Sequence, residues 1–173
     1  RDGIRLPNRI YGGDQELKRR AGTENVPGIA GFGQAVAEVQ AESKADLQAK
    51  YTDFQKIILS RLDESGVAYE VNSPLTGLVS HHVLNLRLNG LSTYVLLANL
   101  DLAGFAVSGG SACTAGSLTP SHVLTAMFGQ DSPKVSESIR ISFGRYNTVE
   151  EVKAFAAALV KVARKLQDRK RED

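Results

Sequence analysis

Cysteine is almost absent from this chain: Cys113 is the only one among 173 residues. A single thiol excludes an intramolecular disulfide framework and a cysteine-based zinc cluster. It fits a reducing compartment, so a cytoplasmic location is expected. No stretch approaches the roughly 20 apolar residues that a membrane span needs, and no membrane partner is expected. A strong charge of one sign is also lacking. The net charge of +2 argues neither for a nucleic-acid partner nor for an acidic surface. Internal repeats and low-complexity segments are missing. What remains is a chain with a 42% apolar fraction, long enough for one domain with or without an appended segment.

Residues 1–24 lack helical periodicity and read as strand and loop. Asn25, Val26 and Pro27 open a long helix, with proline where its missing N–H costs nothing. Apolar positions at Ile29, Phe32, Val36, Val39, Leu47, Tyr51, Phe54, Ile58 and Leu62 recur at steps that favour an amphipathic helix. The polar middle of this helix, residues 42–46, is a place for a kink. Gly66 stops it. A short strand is expected at 67–71, and residues 72–74 read as a turn. The clearest strand, at 82–88, alternates with period two. Residues 92–103 are apolar nearly all round and read as a buried helix. A brief strand at 105–108 leads into the cysteine segment. Thr119 and Pro120 predict the start of a short helix to Phe128. Residues 137–143 predict a strand. Thr148 and Glu151 form a capping box before a helix with Val152, Phe155, Leu159, Val162 and Leu166 on one face. Its basic end reads as cations near the negative pole of a helix. The sum is an α/β sandwich of the α+β kind, with a small mixed or antiparallel sheet and helices packed against one face.

Cys113 sits in Ser108-Gly109-Gly110-Ser111-Ala112-Cys113-Thr114-Ala115-Gly116-Ser117. Small residues cannot bury a sulfur, and glycine frees the backbone, so the segment suits an accessible, reactive thiol. It also suits an ordinary Gly/Ser turn carrying a small apolar residue. The segment resembles the active-site loop of cysteine desulfurases of the class V aminotransferase group, in the branch with a long loop (Ser-Ser-Gly-Ser-Ala-Cys-Thr). Two further segments agree in order. Gly12-Gly13-Asp14-Gln15-Glu16, followed by residues 20–29, resembles the Gly-Gly-Gly-Gln-Glu and Arg-Ser-Gly-Thr-x-Asn-Val stretch. Residues 138–145 resemble the Ser-x-Arg-x-Ser-x-Gly-Arg strand. Asp14, Ala21 and Gly109 depart from the pattern, at a usual glycine and two usual serines. The family's Schiff-base lysine, in a Ser-x-His-Lys setting, has no counterpart here.

The resemblance implies the small C-terminal domain of a fold-type I pyridoxal-phosphate (PLP) enzyme. It assigns residues 1–24 to a remnant of the large PLP domain, and residues 25–173 to the small domain with its linking helix. It implies a parent enzyme that takes sulfur from L-cysteine, leaving alanine and a persulfide on Cys113 for iron–sulfur assembly or thiolation. This chain alone, lacking the lysine, is expected to be inactive. Implied partners are L-cysteine, the second subunit of a homodimer, and a sulfur-acceptor or scaffold protein. Alternation places Arg140 on the strand face opposite Ile139 and Ile141, and its planar guanidinium suits a carboxylate. By resemblance it binds the α-carboxylate of L-cysteine. An edge charge or structural ion pair is the plainer alternative. Thr23 follows Gly22 in a turn, where a hydroxyl beside backbone N–H groups can bind phosphate. By resemblance it reaches the PLP phosphate of the neighbouring subunit. His81 and His82 do not form a metal site, because adjacent strand residues face opposite ways, and no metal is expected. Two alternatives stay open: another class V enzyme, such as an aminotransferase or selenocysteine lyase, and a non-catalytic fragment that acts only as a binding module.

Overall fold

The computed structural model describes Gly3 and residues 7–77, 79–110 and 120–172. The chain forms two compact units, Arg1–Ser43 and Lys44–Asp173. The first unit holds a single turn, α1 (Gln15–Lys18), and the helix α2 (Val26–Ala41). In α1, Glu16, Leu17 and Lys18 all take positive φ. At the start of α2, Asn25 Oδ1 accepts the Gly28 N–H at 3.1 Å, and Pro27 stands in the first turn, as expected. No residue of α2 is buried within its unit.

The expected long helix is broken. At Glu42 the backbone becomes extended, and α3 (Lys44–Ser65) begins two residues later. The break falls in the polar stretch, where no apolar packing rewards continuity. Gly66, at φ +70, ends α3. Arg164 donates to the Ser65 carbonyl at 2.6 Å, a cation at the negative pole of α3.

In the second unit, β1 (Tyr69–Val71), β2 (Val83–Leu88) and β3 (Ser138–Ser142) form an antiparallel sheet in the order β1-β2-β3. The strand expected at 105–108 reduces to one antiparallel bridge, Ser108 to Arg140. One sheet face carries Leu84, Leu86, Leu88, Ile139 and Ile141, all buried. Phe54, Ile58 and Leu62 of α3 belong to the same core. So do Leu96 and Leu100 of α4 (Thr93–Leu102), and Val152, Phe155 and Leu159 of α7 (Val149–Glu172). Each of these side chains contributes about 1.5–3 kcal/mol by leaving water. The α+β sandwich read from the sequence is thus observed, with a purely antiparallel sheet.

The capping box of α7 is formed. Thr148 Oγ1 accepts the Glu151 N–H at 3.2 Å, and Glu151 Oε2 accepts the Thr148 N–H at 2.9 Å. Two expectations change. Helix α4 is not buried all round: it buries Thr93, Leu96 and Leu100, while Tyr94, Val95 and Leu102 are exposed. Helix α5 (His122–Phe128) starts later than Thr119 and Pro120 predict. Ser121 is its N-cap, accepting the Leu124 N–H, so Pro120 precedes the helix, and Thr119 lies outside the described residues. A further turn, α6 (Pro133–Ser136), follows a Ser132 cap and an N1 proline.

Candidate functional site

Alternation in β2 and β3 that buries the leucines and isoleucines puts Asn85, Arg87, Ser138 and Arg140 on the opposite face of the sheet. Register sets Asn85 across from Arg140, and Arg87 across from Ser138 and Glu70. The two arginines meet different surroundings. Arg87 donates to Glu137 at 2.7 and 2.8 Å and also to Glu70. Lys134 of α6 adds a 3.0 Å pair to Glu70, and its ammonium lies 4.5 Å from the Phe128 ring centroid. Hydrogen bonding from Lys134, and then from Arg87, holds the Glu70 carboxyl below the usual carboxylate range. The hydrogen bond to Glu137 holds the Arg87 guanidinium above its ordinary value. This cluster is electrostatically closed.

Arg140 has no carboxylate partner among the described residues. Its Nη2 donates to Ser108 Oγ at 3.3 Å. Ser108 in turn donates to the Gly110 carbonyl at 2.9 Å, and its backbone exchanges two hydrogen bonds with Arg140. The root of the cysteine segment is therefore joined directly to Arg140. Gly109 is required there. A Cβ on it would stand 2.3 Å from Thr93 Cγ2. Thr93 cannot easily yield, because its hydroxyl is tied to the Ser136 and Ser138 carbonyls at 2.8 and 2.9 Å. The departure from the usual serine at this position thus has a steric counterpart in α4.

Arg140 lines a cavity of about 270 Å³. Asn72, Ser73, Asn85 and His122 give it polar edges, while Val83, Val123, Leu124 and Met127 give it an apolar side. Gly110 and Ser121 also line it. These are described residues on either side of the cysteine segment. Cys113 itself lies outside the described residues. Sequence reasoning missed the contributions of Asn72, Ser73, Asn85 and His122. Asn85 reads as an ordinary polar position in an alternating strand, and Asn72 and Ser73 as an ordinary turn.

Thr23 belongs to the first unit, where it is exposed. The N–H of its neighbour Gly22 is not free, since Gln15 Oε1 accepts it at 3.2 Å. The Arg20 guanidinium caps the Gly22 carbonyl at 2.5 Å, reaches the Thr23 carbonyl at 3.4 Å and pairs with Glu24 at 3.9 Å. His81 and His82 take separate partners: Gln55 at 3.4 Å and Ser80 at 2.6 Å. Among the described residues, no helix is long and apolar enough to cross a membrane.

Comparison with known proteins agrees with this architecture. The model of the aminotransferase class-V family matches residues 3–155. A Bacillus subtilis (strain 168) protein named "Putative cysteine desulfurase IscS 1" is 50% identical over 163 residues, covering 94% of this chain and 42% of that protein. "Cysteine desulfurase IscS" of Methanosarcina thermophila is 36% identical over 174 residues, covering 97% of this chain and 41% of that one. Among solved structures, a NifS-like protein matches with a TM-score of 0.70 at 29% identity, over 94% of this chain and 40% of its own. A NifS-like protein from Rickettsia africae matches with a TM-score of 0.64 at 28% identity, over 92% and 40%. The chain spans about two-fifths of the length of the relatives it matches. With the family model matched along most of its length, this chain belongs to the aminotransferase class-V family.

Proposed function

We propose that this chain is the C-terminal part of a PLP-dependent cysteine desulfurase, which passes the sulfur of L-cysteine to an acceptor or scaffold protein. Residues 25–173 are the small domain, and residues 1–24 belong to the large PLP domain. The observation that carries the reading is Arg140. It is a guanidinium without a carboxylate partner among the described residues, facing a cavity that is also lined by both flanks of the cysteine segment.

The α-carboxylate of L-cysteine pairs with the Arg140 guanidinium, whose fork geometry suits it. Ser108 steadies that guanidinium from the root of the cysteine segment. Cys113 is three residues beyond Gly110, a tether of roughly 10 Å at full stretch. As a thiolate it attacks the substrate Sγ. The S–S bond forms as the Cβ–Sγ bond breaks, and the bonding pair stays on carbon. Protonation at Cβ then gives alanine, and Cys113 keeps the sulfur as a persulfide. When bound, PLP supplies an electron sink that weakens the Cβ–Sγ bond. Thr23 would hold the PLP phosphate across a homodimer. No Ser-x-His-Lys occurs in the 173 residues, so this chain alone does not turn over. The parent works in the cytoplasm, feeding iron–sulfur assembly or thiolation.

The test is intact mass after incubation of the chain with an active full-length desulfurase and L-cysteine. A reductant-labile gain of one sulfur is expected on Cys113, and none in Cys113→Ala. Ready alkylation of Cys113 with no sulfur gain would contradict the carrier role. A transaminase or selenocysteine lyase would not need this thiol.

A further inference from the structure

Asn85 stands directly across from Arg140 in the β2–β3 register, and a chain of hydrogen bonds dictates which end of its amide is free. The chain starts at the Lys134 carbonyl in α6, which can only accept. Ser138 Oγ donates its one hydrogen to that carbonyl at 2.5 Å. Ser138 Oγ must then accept from Asn72, 2.9 Å away, so the atom of Asn72 facing it is Nδ2. The second hydrogen of that Nδ2 goes to Asn85 at 2.8 Å, which must present Oδ1. The Asn85 main chain is held as well. Its N–H donates to Ser73 Oγ at 2.8 Å, and its carbonyl accepts the Asn72 N–H at 2.9 Å.

The opposite amide orientation would give Ser138 a second acceptor but no second hydrogen. It would also leave the Asn72 NH2 as a buried orphan donor. In the observed orientation, the only buried orphan within this chain of bonds is the Asn72 Oδ1. An unsatisfied carbonyl oxygen is the more readily tolerated of the two.

We infer that Asn85 is a second carboxylate-binding donor of the Arg140 cavity, its Nδ2 hydrogens left free for a ligand by the Lys134–Ser138–Asn72 relay. Asn85 lines the cavity, and its Nδ2 has no partner among the described residues. Side chains directly opposed in an antiparallel pair have Cβ atoms about 4.5–5.5 Å apart. The amide and the guanidinium can therefore donate to the two oxygens of one carboxylate. Two donors from adjacent strands hold the carboxylate from two sides, adding to the grip of the guanidinium fork. Ser138 is a positioning residue: it touches no ligand and sets the direction of the amide. The inference rests on the reading of Arg140 as the carboxylate site.

The test follows the side-chain N–H signals of Asn85 and Arg140 by 15N NMR. The full 173-residue chain is titrated with L-alanine, and separately with L-alaninamide, which lacks the carboxylate. Shifts of both Asn85 Nδ2–H2 and Arg140 Nε–H with L-alanine, and of neither with the amide, are expected. Asn85→Ala should weaken L-alanine binding about tenfold, as loss of one hydrogen bond to a charged group does. Ser138→Ala should weaken it by a smaller factor, while L-alanine still shifts Arg140. Circular dichroism establishes that both variants fold. If Arg140 shifts and Asn85 is silent, the role of Asn85 is wrong and that of Arg140 stands. Silence of both would overturn the carboxylate reading itself.

Discussion

Arg87 and Arg140 stand on the same face of the same sheet, as diagonal neighbours roughly 7–8 Å apart. Arg87 has a carboxylate from β1, another from the residue before β3, and a lysine on α6 that completes the cluster. Arg140 has a serine hydroxyl and an open cavity. Residue type and strand periodicity are identical for the two. The difference comes from register and from where α6 lies. One guanidinium has spent its hydrogen-bonding capacity on carboxylates of the fold, whereas the other donates only to the Ser108 hydroxyl among the described residues. The two guanidiniums on this face are thus told apart by what each has been paired with.

The largest effect on this contrast is expected at Gly109. Replacing it by the serine usual at this position of the desulfurase loop would drive a Cβ into Thr93 Cγ2. The overpacking should cost about 1–3 kcal/mol in urea unfolding. Thr93→Ser removes the methyl and keeps the hydroxyl, so the double variant should recover most of that loss. If the two changes are simply additive, the close approach is not the reason for the glycine.

Breaking the closed cluster comes next. Glu137→Gln should destabilise the chain by about 1–2 kcal/mol, since it removes the charge that Arg87 grips most directly. The unfolding midpoint should become less sensitive to salt than in the parent chain.

Acid should act on the closed cluster and on the cap of α7. Glu70 and Glu151 both have lowered folded-state values: the first through Lys134 and Arg87, the second through the Thr148 backbone N–H and the Asn147 side chain. A depressed carboxylate stabilises the fold above its unfolded value. That contribution is lost as pH falls through the folded value. Thermal midpoints should therefore drop below the ordinary carboxylate range. Glu70→Gln should flatten its share of the slope.

The smallest effect is alkaline. Burial, helped by a hydrogen bond to Asp63, pushes the Tyr69 hydroxyl up to about 12. Its stabilising contribution is complete below pH 10 and is lost as pH rises towards 12. Tyr69→Phe should remove this alkaline sensitivity and, with the Asp63 hydrogen bond gone, lower the neutral midpoint slightly.

Much of this framework was legible in the residues. Alternation at 82–88 and 137–143 marks β2 and β3 and puts Arg140 on the face away from the core. The Thr148–Glu151 pair marks the start of α7. The resemblance singles out Arg140, Thr23 and Cys113. What was not legible depends on long-range placement. Helix α4 reads as buried because its apolar residues run all round. In its unit the core takes only the side bearing Leu96 and Leu100. Ser121 competes with Thr119 and Pro120 for the start of α5 and prevails because its hydroxyl reaches the Leu124 N–H. Nothing in the spacing of Asn72, Asn85 and Ser138 says that they touch. Their joint role rests on a single proton on Ser138 and on the carbonyl that takes it.

The contrast between the two arginines is tested most directly by making the same change in each. Arg87→Gln and Arg140→Gln would be compared for urea unfolding and for L-alanine affinity. The account predicts that Arg140→Gln keeps its unfolding free energy within about 0.5 kcal/mol, as at a position making no structural ion pair. It should lose L-alanine binding on the order of a hundredfold. Arg87→Gln should lose about 1–2 kcal/mol of stability and bind L-alanine as the parent chain does. If Arg140→Gln unfolds as readily as Arg87→Gln and binds L-alanine unchanged, Arg140 is a structural residue, and the assignment of the carboxylate site is wrong.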